Sequence, residues 1–311
     1  MAPTLTSPRA PHLDLEGERL ISFDGAAFGL TVWPAATKPE WIIVGAHGMN
    51  DYAHAFHIAA PYWAERGVTS YAYDHRGFGR SYGRGTWPDE DTMVEDLRTV
   101  IGLVRARHPD TPLAVIGISM GGAVVMRTFG SARPPEGVSR IVFSGPGLRG
   151  WGSLPVLQRA LLWMSVRIRP GWSVRPPRFV KIEPSDNQEM LQRLWADPLG
   201  LRHNTISHVH GVVSLMENAH RAAPHLPATI PMLLTYGARD MIVLEKGVRR
   251  TARRLPEHVR TAYYPEGYHM LLRDLQAQTV FEDILSFLKD PQAPLPSGVG
   301  EVPGRSVTRK D

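Results

Sequence analysis

The chain contains no cysteine. That excludes disulfides, a thiolate nucleophile, Cys-ligated zinc and a lipid-anchored bacterial N-terminus. No apolar stretch approaches the roughly 20 residues that a bilayer-spanning helix needs. Met1–Leu13 carries three prolines and no apolar core of signal-peptide length. There is no Lys/Arg-rich run interleaved with aromatics of the kind that lines a nucleic-acid groove, so no nucleic-acid partner is expected. Internal repeats and low-complexity tracts are missing too. The expected location is cytoplasmic, with peripheral membrane contact left open.

What remains is ordinary globular material. The chain has 311 residues, 43% hydrophobic and 21% charged, with a net charge of +5. That length accommodates one large core with or without a cap. Residues 1–14 and 290–311 are rich in Pro, Gly, Ser and charge and read as flexible tails. Between them, strand-like runs alternate with helix-like ones. Arg19–Phe23 and Phe28–Trp33 flank Asp24-Gly25 as a hairpin-like start. Trp41–Ala46, Val68–Tyr73, Leu113–Gly117, Ile141–Ser144, Met232–Tyr236 and Arg260–Tyr264 are short buried-strand runs. Ala53–Arg66, Thr92–Arg107, Ser119–Phe129, Lys246–Arg254 and Thr279–Leu288 read as the helices between them. The alternation predicts an α/β fold, a mostly parallel central sheet with helices on both faces. It breaks from about residue 146 to 227, where several helix-like pieces and many prolines suggest a helical cap inserted between core segments 15–145 and 228–289.

One motif carries chemistry. Gly117-Ile118-Ser119-Met120-Gly121 is a G-x-S-x-G turn between a buried strand and a helix. A serine on such a turn projects its oxygen above the sheet edge as a nucleophile. It needs a base, and the base an orienting acid. Asp240 follows the strand Met232–Tyr236, and His269 follows Thr261–Tyr264; no other Asp/His pair after Ser119 has both members at strand ends. His203, His208, His210, His220 and His225 fall in the cap segment, and His258 precedes a strand. Asp274 follows His269 and is expected to cap a helix. No metal set and no cofactor are expected. Two backbone N–H donors, Met120 and Met49 in the turn His47-Gly48-Met49-Asn50, are expected to form the oxyanion hole. His47 is expected to support that turn. Asp74–Ser81 is Gly-rich but lacks the phosphate-loop spacing, so it reads as a structural turn.

Taken together, His47-Gly48, Asp74-x-x-Gly77-x-Gly79-x-Ser81, Gly117-x-Ser119-Met120-Gly121-Gly122, Gly237-x-x-Asp240 and Gly267-x-His269 resemble the monoacylglycerol lipases and bacterial lysophospholipases of the α/β-hydrolase fold. The resemblance spans roughly residues 17–289. It implies a cofactor-free serine esterase acting on a single acyl chain, with Ser119, Asp240 and His269 as triad and Met49 and Met120 as oxyanion donors. Two positions depart from that pattern. Ile118 stands where the family often has His, and Asn50-Asp51-Tyr52 stands where it often has Gly-Glu-His.

The cap is where substrate choice is expected to be made. From Pro146 to Ile182 there are arginines at 149, 159, 167, 169, 175 and 178, plus Lys181, and no acidic residue. Trp and Leu are interleaved with them, and Leu157, Leu161 and Met164 share one stripe as candidate substrate contacts. Such a segment suits an anionic membrane surface or a phosphate-headed amphiphile, although the same residues could simply pack the cap onto the core. A short-chain carboxylesterase, acyltransferase, haloperoxidase or peptidase keeps the serine and stays open. So does a non-catalytic ligand-binding relative.

Overall fold

The computed structural model describes residues 10–174 and 182–305. Strands are β1 (His12–Asp14), β2 (Arg19–Ile21), β3 (Ala27–Trp33), β4 (Trp41–Ala46), β5 (Val68–Tyr73), β6 (Leu113–Ile118), β7 (Arg140–Ser144), β8 (Ser173–Val174), β9 (Asn204–Thr205), β10 (Met232–Gly237) and β11 (Val259–Tyr264). Helices are α1 (Ala59–Ala64), α2 (Glu90–Arg107), α3 (Met120–Phe129), α4 (Val156–Ile168), α5 (Gln188–Ala196), α6 (Ile206–Ala222), α7 (Glu245–Ala252) and α8 (Ala277–Lys289). The main sheet runs β1-β2-β3-β5-β4-β6-β7-β10-β11. It is antiparallel from β1 to β5 and parallel from there on. β8 and β9 form a separate antiparallel pair.

The period-2 alternation of side chains sorts the parallel strands onto two cores. Ile42, Val44, Leu113 and Val115 face one apolar layer with α2, α3, α6 and α7. Ile43, Ala114 and Ile116 face the other, with α1 and α8. Both faces of the central strands are therefore covered, which is why they read as continuous apolar runs.

Three boundaries differ from expectation. The helix expected over Ala53–Arg66 divides into a 3-10 turn, Ala53–Phe56, and the short α1. Pro61 has no N–H for an earlier carbonyl, and it fits only in the first turn of a helix, where α1 places it. The segment expected as a flexible N-terminal tail contributes β1, which pairs Leu13 with Leu20. Residues 290–305, also expected in a tail, lie against the domain. Val302 is buried, the Gly300 carbonyl accepts from Tyr263 N–H, and the Arg305 guanidinium donates to the carbonyls of Leu255, Pro256, Glu257 and Val259. A Pro/Gly-rich composition signals the lack of regular structure there rather than the lack of contacts.

Within 146–227, expected as one helical cap, the two ends behave differently. α6 belongs to the core layer: Val212, Leu215 and Ala219 are buried with α3 residues. Gly130 lies so close to it that a Cβ would stand 2.4 Å from the Ala222 carbonyl oxygen. α4, by contrast, buries none of its side chains. Of the expected basic segment, Arg175, Arg178 and Lys181 lie outside the described residues.

Candidate active site

Strands β4, β6, β10 and β11 end at the same sheet edge, because register pairs Ala46 with Gly117, and Gly237 with Tyr264. Ser119 stands between β6 and α3 with φ 51° and ψ −115°, a conformation that costs a residue with a side chain about 1–3 kcal/mol. The surroundings over-determine it. Ser119 N–H donates to the Ser144 carbonyl, and its own carbonyl accepts from Ala123 and Gly147. Gly121 is required by space: a Cβ there would lie 2.2 Å from the Ala46 carbonyl oxygen. The turn after β6 is thereby pressed onto the end of β4.

His269 Nε2 lies 2.9 Å from Ser119 Oγ, and His269 Nδ1 lies 2.7 Å from Asp240 Oδ2. A carboxylate can only accept, so Nδ1 carries the proton of the neutral ring and Nε2 presents a lone pair to the hydroxyl. The other carboxylate oxygen, Oδ1, accepts from the amides of Ile242 and Val243, each at 2.8 Å. All three side chains are buried, with Ser119 at 9% exposure. The sequence-expected Ser119, Asp240 and His269 are thus brought into one hydrogen-bonded line.

Met49 lies in the wall of the cavity beside Ser119. A Cβ on the preceding Gly48 would stand 3.2 Å from Ser119 Cβ, so this backbone passes close over the hydroxyl-bearing residue. Met120 opens α3, and its N–H is among the helix's first donors, which have no intrahelical acceptor. His47 is fully buried. Its Nδ1 donates to the Gly48 carbonyl and its Nε2 accepts from His75 N–H. Burial lowers its pKa, which keeps the ring neutral as both contacts require. Asp74 accepts from the amides of Ala53 and Arg80 and from the Arg80 guanidinium. The Gly-rich turn is a brace beneath the Met49 loop.

The competing histidines sit elsewhere. His208 forms a capping box with Thr205 at the start of α6. His220 is buried against Thr251, with its pKa lowered to about 4, first by burial and then by nearby arginines. Among the described residues no cluster of three His, Asp or Glu suits a metal ion. Asp274 caps no helix with its side chain, contrary to expectation. It accepts from Ser185 Oγ and from Tyr268 N–H next to His269, and burial pushes its pKa up to about 6.

The cavity beside Ser119 has a volume of about 210 Å³, with Met49, Ile118, Ile242, Met270 and Leu272 in its wall. Met49, Ile242 and Met270 also border a cleft of about 450 Å³ that Leu194, Trp195 and Leu201 line as well. Leu157, Leu161 and Met164 are not in either wall. They stand exposed on α4, because that helix presents its stripe outward. Arg273 and Asp51, in the cavity wall and paired to each other, were missed by sequence reasoning. Nothing in their spacing marks them as partners.

The chain resembles known proteins over most of its length. A monoacylglycerol lipase from Mycolicibacterium smegmatis is 30% identical over 261 residues, covering 83% of this chain and 91% of the relative. The monoglyceride lipase of Rattus norvegicus is 26% identical over 286 residues, 89% of this chain and 90% of that one. A soluble variant of monoglyceride lipase from Saccharomyces cerevisiae, solved with a substrate analog, superposes with a TM-score of 0.73 at 20% identity, covering 96% and 100% of the two chains. The family model described as serine aminopeptidase S33 matches residues 37–276. The chain belongs to that family of α/β-hydrolases and is a hydrolase resembling the monoacylglycerol lipases.

Proposed function

We propose that the protein cleaves carboxylic esters of single-acyl-chain lipids, of the monoacylglycerol or lysophospholipid kind, through an acyl-enzyme on Ser119. The observation that carries this reading is the unbroken line from Asp240 through His269 to Ser119, at 2.7 and 2.9 Å. His269 Nε2 takes the Ser119 proton as Oγ attacks the ester carbonyl. The amides of Met49 and Met120 hold the oxyanion, each worth roughly 3–4 kcal/mol of barrier. The tetrahedral centre expels the alcohol, which takes the proton from His269. A water, deprotonated by the same ring, then attacks the acyl ester, and the acid leaves as Ser119 recovers its proton.

The walls favour an acyl chain over a peptide. An aminopeptidase needs a carboxylate for its substrate's ammonium group. The carboxylates bordering the cavity beside Ser119 and the cleft that continues it are Asp51, already paired with Arg273, and Asp197, which accepts from the Tyr52 hydroxyl. The cleft continuing past Met49, Ile242 and Met270 is lined in large part by apolar side chains, which suits a fatty tail.

α4 supports a second part of the proposal, peripheral contact with an anionic lipid surface. Val156, Leu157, Leu161, Trp163, Met164, Ile168 and the following Trp172 are exposed. Arg167 and Arg169 stack over the Trp163 and Trp172 rings. Leu157, Leu161 and Met164 then meet the substrate at the membrane rather than inside the cavity. No helix of the described residues is long and apolar enough to cross a membrane.

The test is a panel of monoacylglycerols, lysophospholipids, short-chain esters and aminoacyl amides, with Ser119→Ala beside the wild type. Turnover of long single-chain esters with the highest kcat/KM, abolished together with fluorophosphonate labelling in Ser119→Ala, supports the reading. Aminoacyl amide cleavage in preference to esters, or labelling that survives the substitution, would overturn it.

A further inference from the structure

The two loops that must meet above Ser119 come from opposite ends of the chain. The Met49 loop follows β4, and the His269 loop follows β11. One buried ion pair spans them. The Arg273 guanidinium donates to the Asp51 carboxylate, and its Nε donates to the Ala55 carbonyl at 3.1 Å. Arg273 is only 3% exposed, and Asp51 is also buried.

Each end of the pair is built into a turn. Asp51 N–H reaches back to the Gly48 carbonyl, closing the turn that carries Met49 and Asn50. Asn50 sits in the left-handed region at φ 66°, and Asp51 Oδ1 accepts from Tyr52 N–H. On the other side, Arg273 N–H donates to the Met270 carbonyl at 2.6 Å, within the turn that begins at His269. A displacement of either loop therefore drags on the other through a charged contact shielded from water. Among the described residues Arg273 Nη1 has no hydrogen-bond partner, so the hold runs through Nε and Nη2.

We propose that Arg273 is a positioning residue: by gripping Asp51 and Ala55 it fixes the Met49 amide in register with the Ser119 oxygen and the His269 ring. The proposal rests on the esterase reading above. Misplacing a donor by about 1 Å costs on the order of 100-fold in rate, and the developing oxyanion feels that error more than the bound ester does. The loss therefore falls on kcat rather than KM.

The experiment measures kcat and KM separately on 4-nitrophenyl butyrate for wild type, Arg273→Lys, Arg273→Met and the double variant Asp51→Ala/Arg273→Met. Wild-type turnover abolished by Ser119→Ala first secures the esterase reading. Its absence sinks that reading rather than this one. Arg273→Met is expected to lose on the order of 10- to 100-fold in kcat with KM within about threefold, and Arg273→Lys to recover part of it. Amide hydrogen exchange over residues 48–52 is expected to speed up in Arg273→Met while that of α2 and α3 stays constant.

The double variant removes both charges, so no uncompensated ion is left buried. It is expected to regain thermal stability but not kcat, and it carries the test if Arg273→Met alone does not fold. Recovery of kcat along with stability would show that Arg273 serves folding only, and the proposal would fall. It falls equally if the loss is in KM with kcat unchanged, the mark of a residue that binds substrate rather than positions the Met49 amide.

Discussion

Asp240 spends one carboxylate oxygen on two backbone amides and the other on His269. Oδ1 takes Ile242 and Val243, leaving Oδ2 alone to face the ring at 2.7 Å. The acid is thereby held in one orientation by backbone geometry, and it cannot rotate without leaving two buried amides unpaired.

That orientation makes Asp240→Asn informative. The amides of residues 242 and 243 demand an oxygen, so the Asn would turn its NH2 toward His269 Nδ1. The ring must then accept at Nδ1 and carry its proton on Nε2, facing Ser119 with nothing to receive the serine proton. We expect kcat to fall on the order of 10⁴-fold, with melting temperature nearly unchanged. Steady-state kinetics and circular dichroism check both halves.

The backbone at Ser119 stores strain that glycine would not feel. Ser119→Gly and Ser119→Ala both remove the side-chain oxygen, but only glycine adopts φ 51°, ψ −115° at no steric cost. Ser119→Gly is expected to exceed Ser119→Ala in stability by about 1 kcal/mol or more, roughly 2–4 °C for a chain of this size. Equal melting temperatures would mean that the turn is unstrained.

Glu217 gives a pH signature distant from the line of Ser119, His269 and Asp240. Its carboxylate takes both Nη atoms of Arg250 at 2.8 Å and the Gly152 amide, joining α6 to α7 and to the chain that enters the exposed part of the cap. The Arg250 bonds hold its pKa down to about 2. A lowered folded value contributes stability above the ordinary Glu range near 4.5, and that contribution drains away as pH falls toward 2. Glu217→Gln is therefore expected to cost about 1–3 kcal/mol at pH 7 and to converge with wild type near pH 2. Urea unfolding at a series of pH values reads this directly.

On the lipid question, replacing Leu157, Leu161 and Trp163 together by Ser should leave the short-ester kcat intact, because none of them borders the cavity beside Ser119. Sedimentation with phosphatidylglycerol vesicles should drop several-fold for the triple variant, and added salt should weaken wild-type binding. Unchanged sedimentation would remove α4 from membrane contact.

Legibility in the sequence followed the physics of each feature. The proximity of Ser119, His269 and Asp240 was readable because Ser119 lies in a local motif with a steric reason behind its glycines, and because Asp240 and His269 stand just past apolar runs. The alternating sheet was readable for the same reason, since burial on both faces forces continuous Val, Ile and Leu. The cap was harder. α6 carries an ordinary amphipathic pattern, and nothing local says that its apolar face meets α3 while α4 turns its own outward. Arg273 and Asp51 are 222 residues apart in sequence, so only the fold discloses the pair. The stretch to Arg305 misled for a related reason, as carbonyls recruited by one guanidinium leave no compositional trace.

The packing of Gly121 on the Ala46 carbonyl has an evolutionary corollary. Because backbone meets backbone there, the gap between the turn after β4 and the Ser119 turn cannot be tuned by exchanging side chains. New substrate preferences on this scaffold should therefore arise by rewriting residues 146–227 around a seam that side-chain exchange cannot reach.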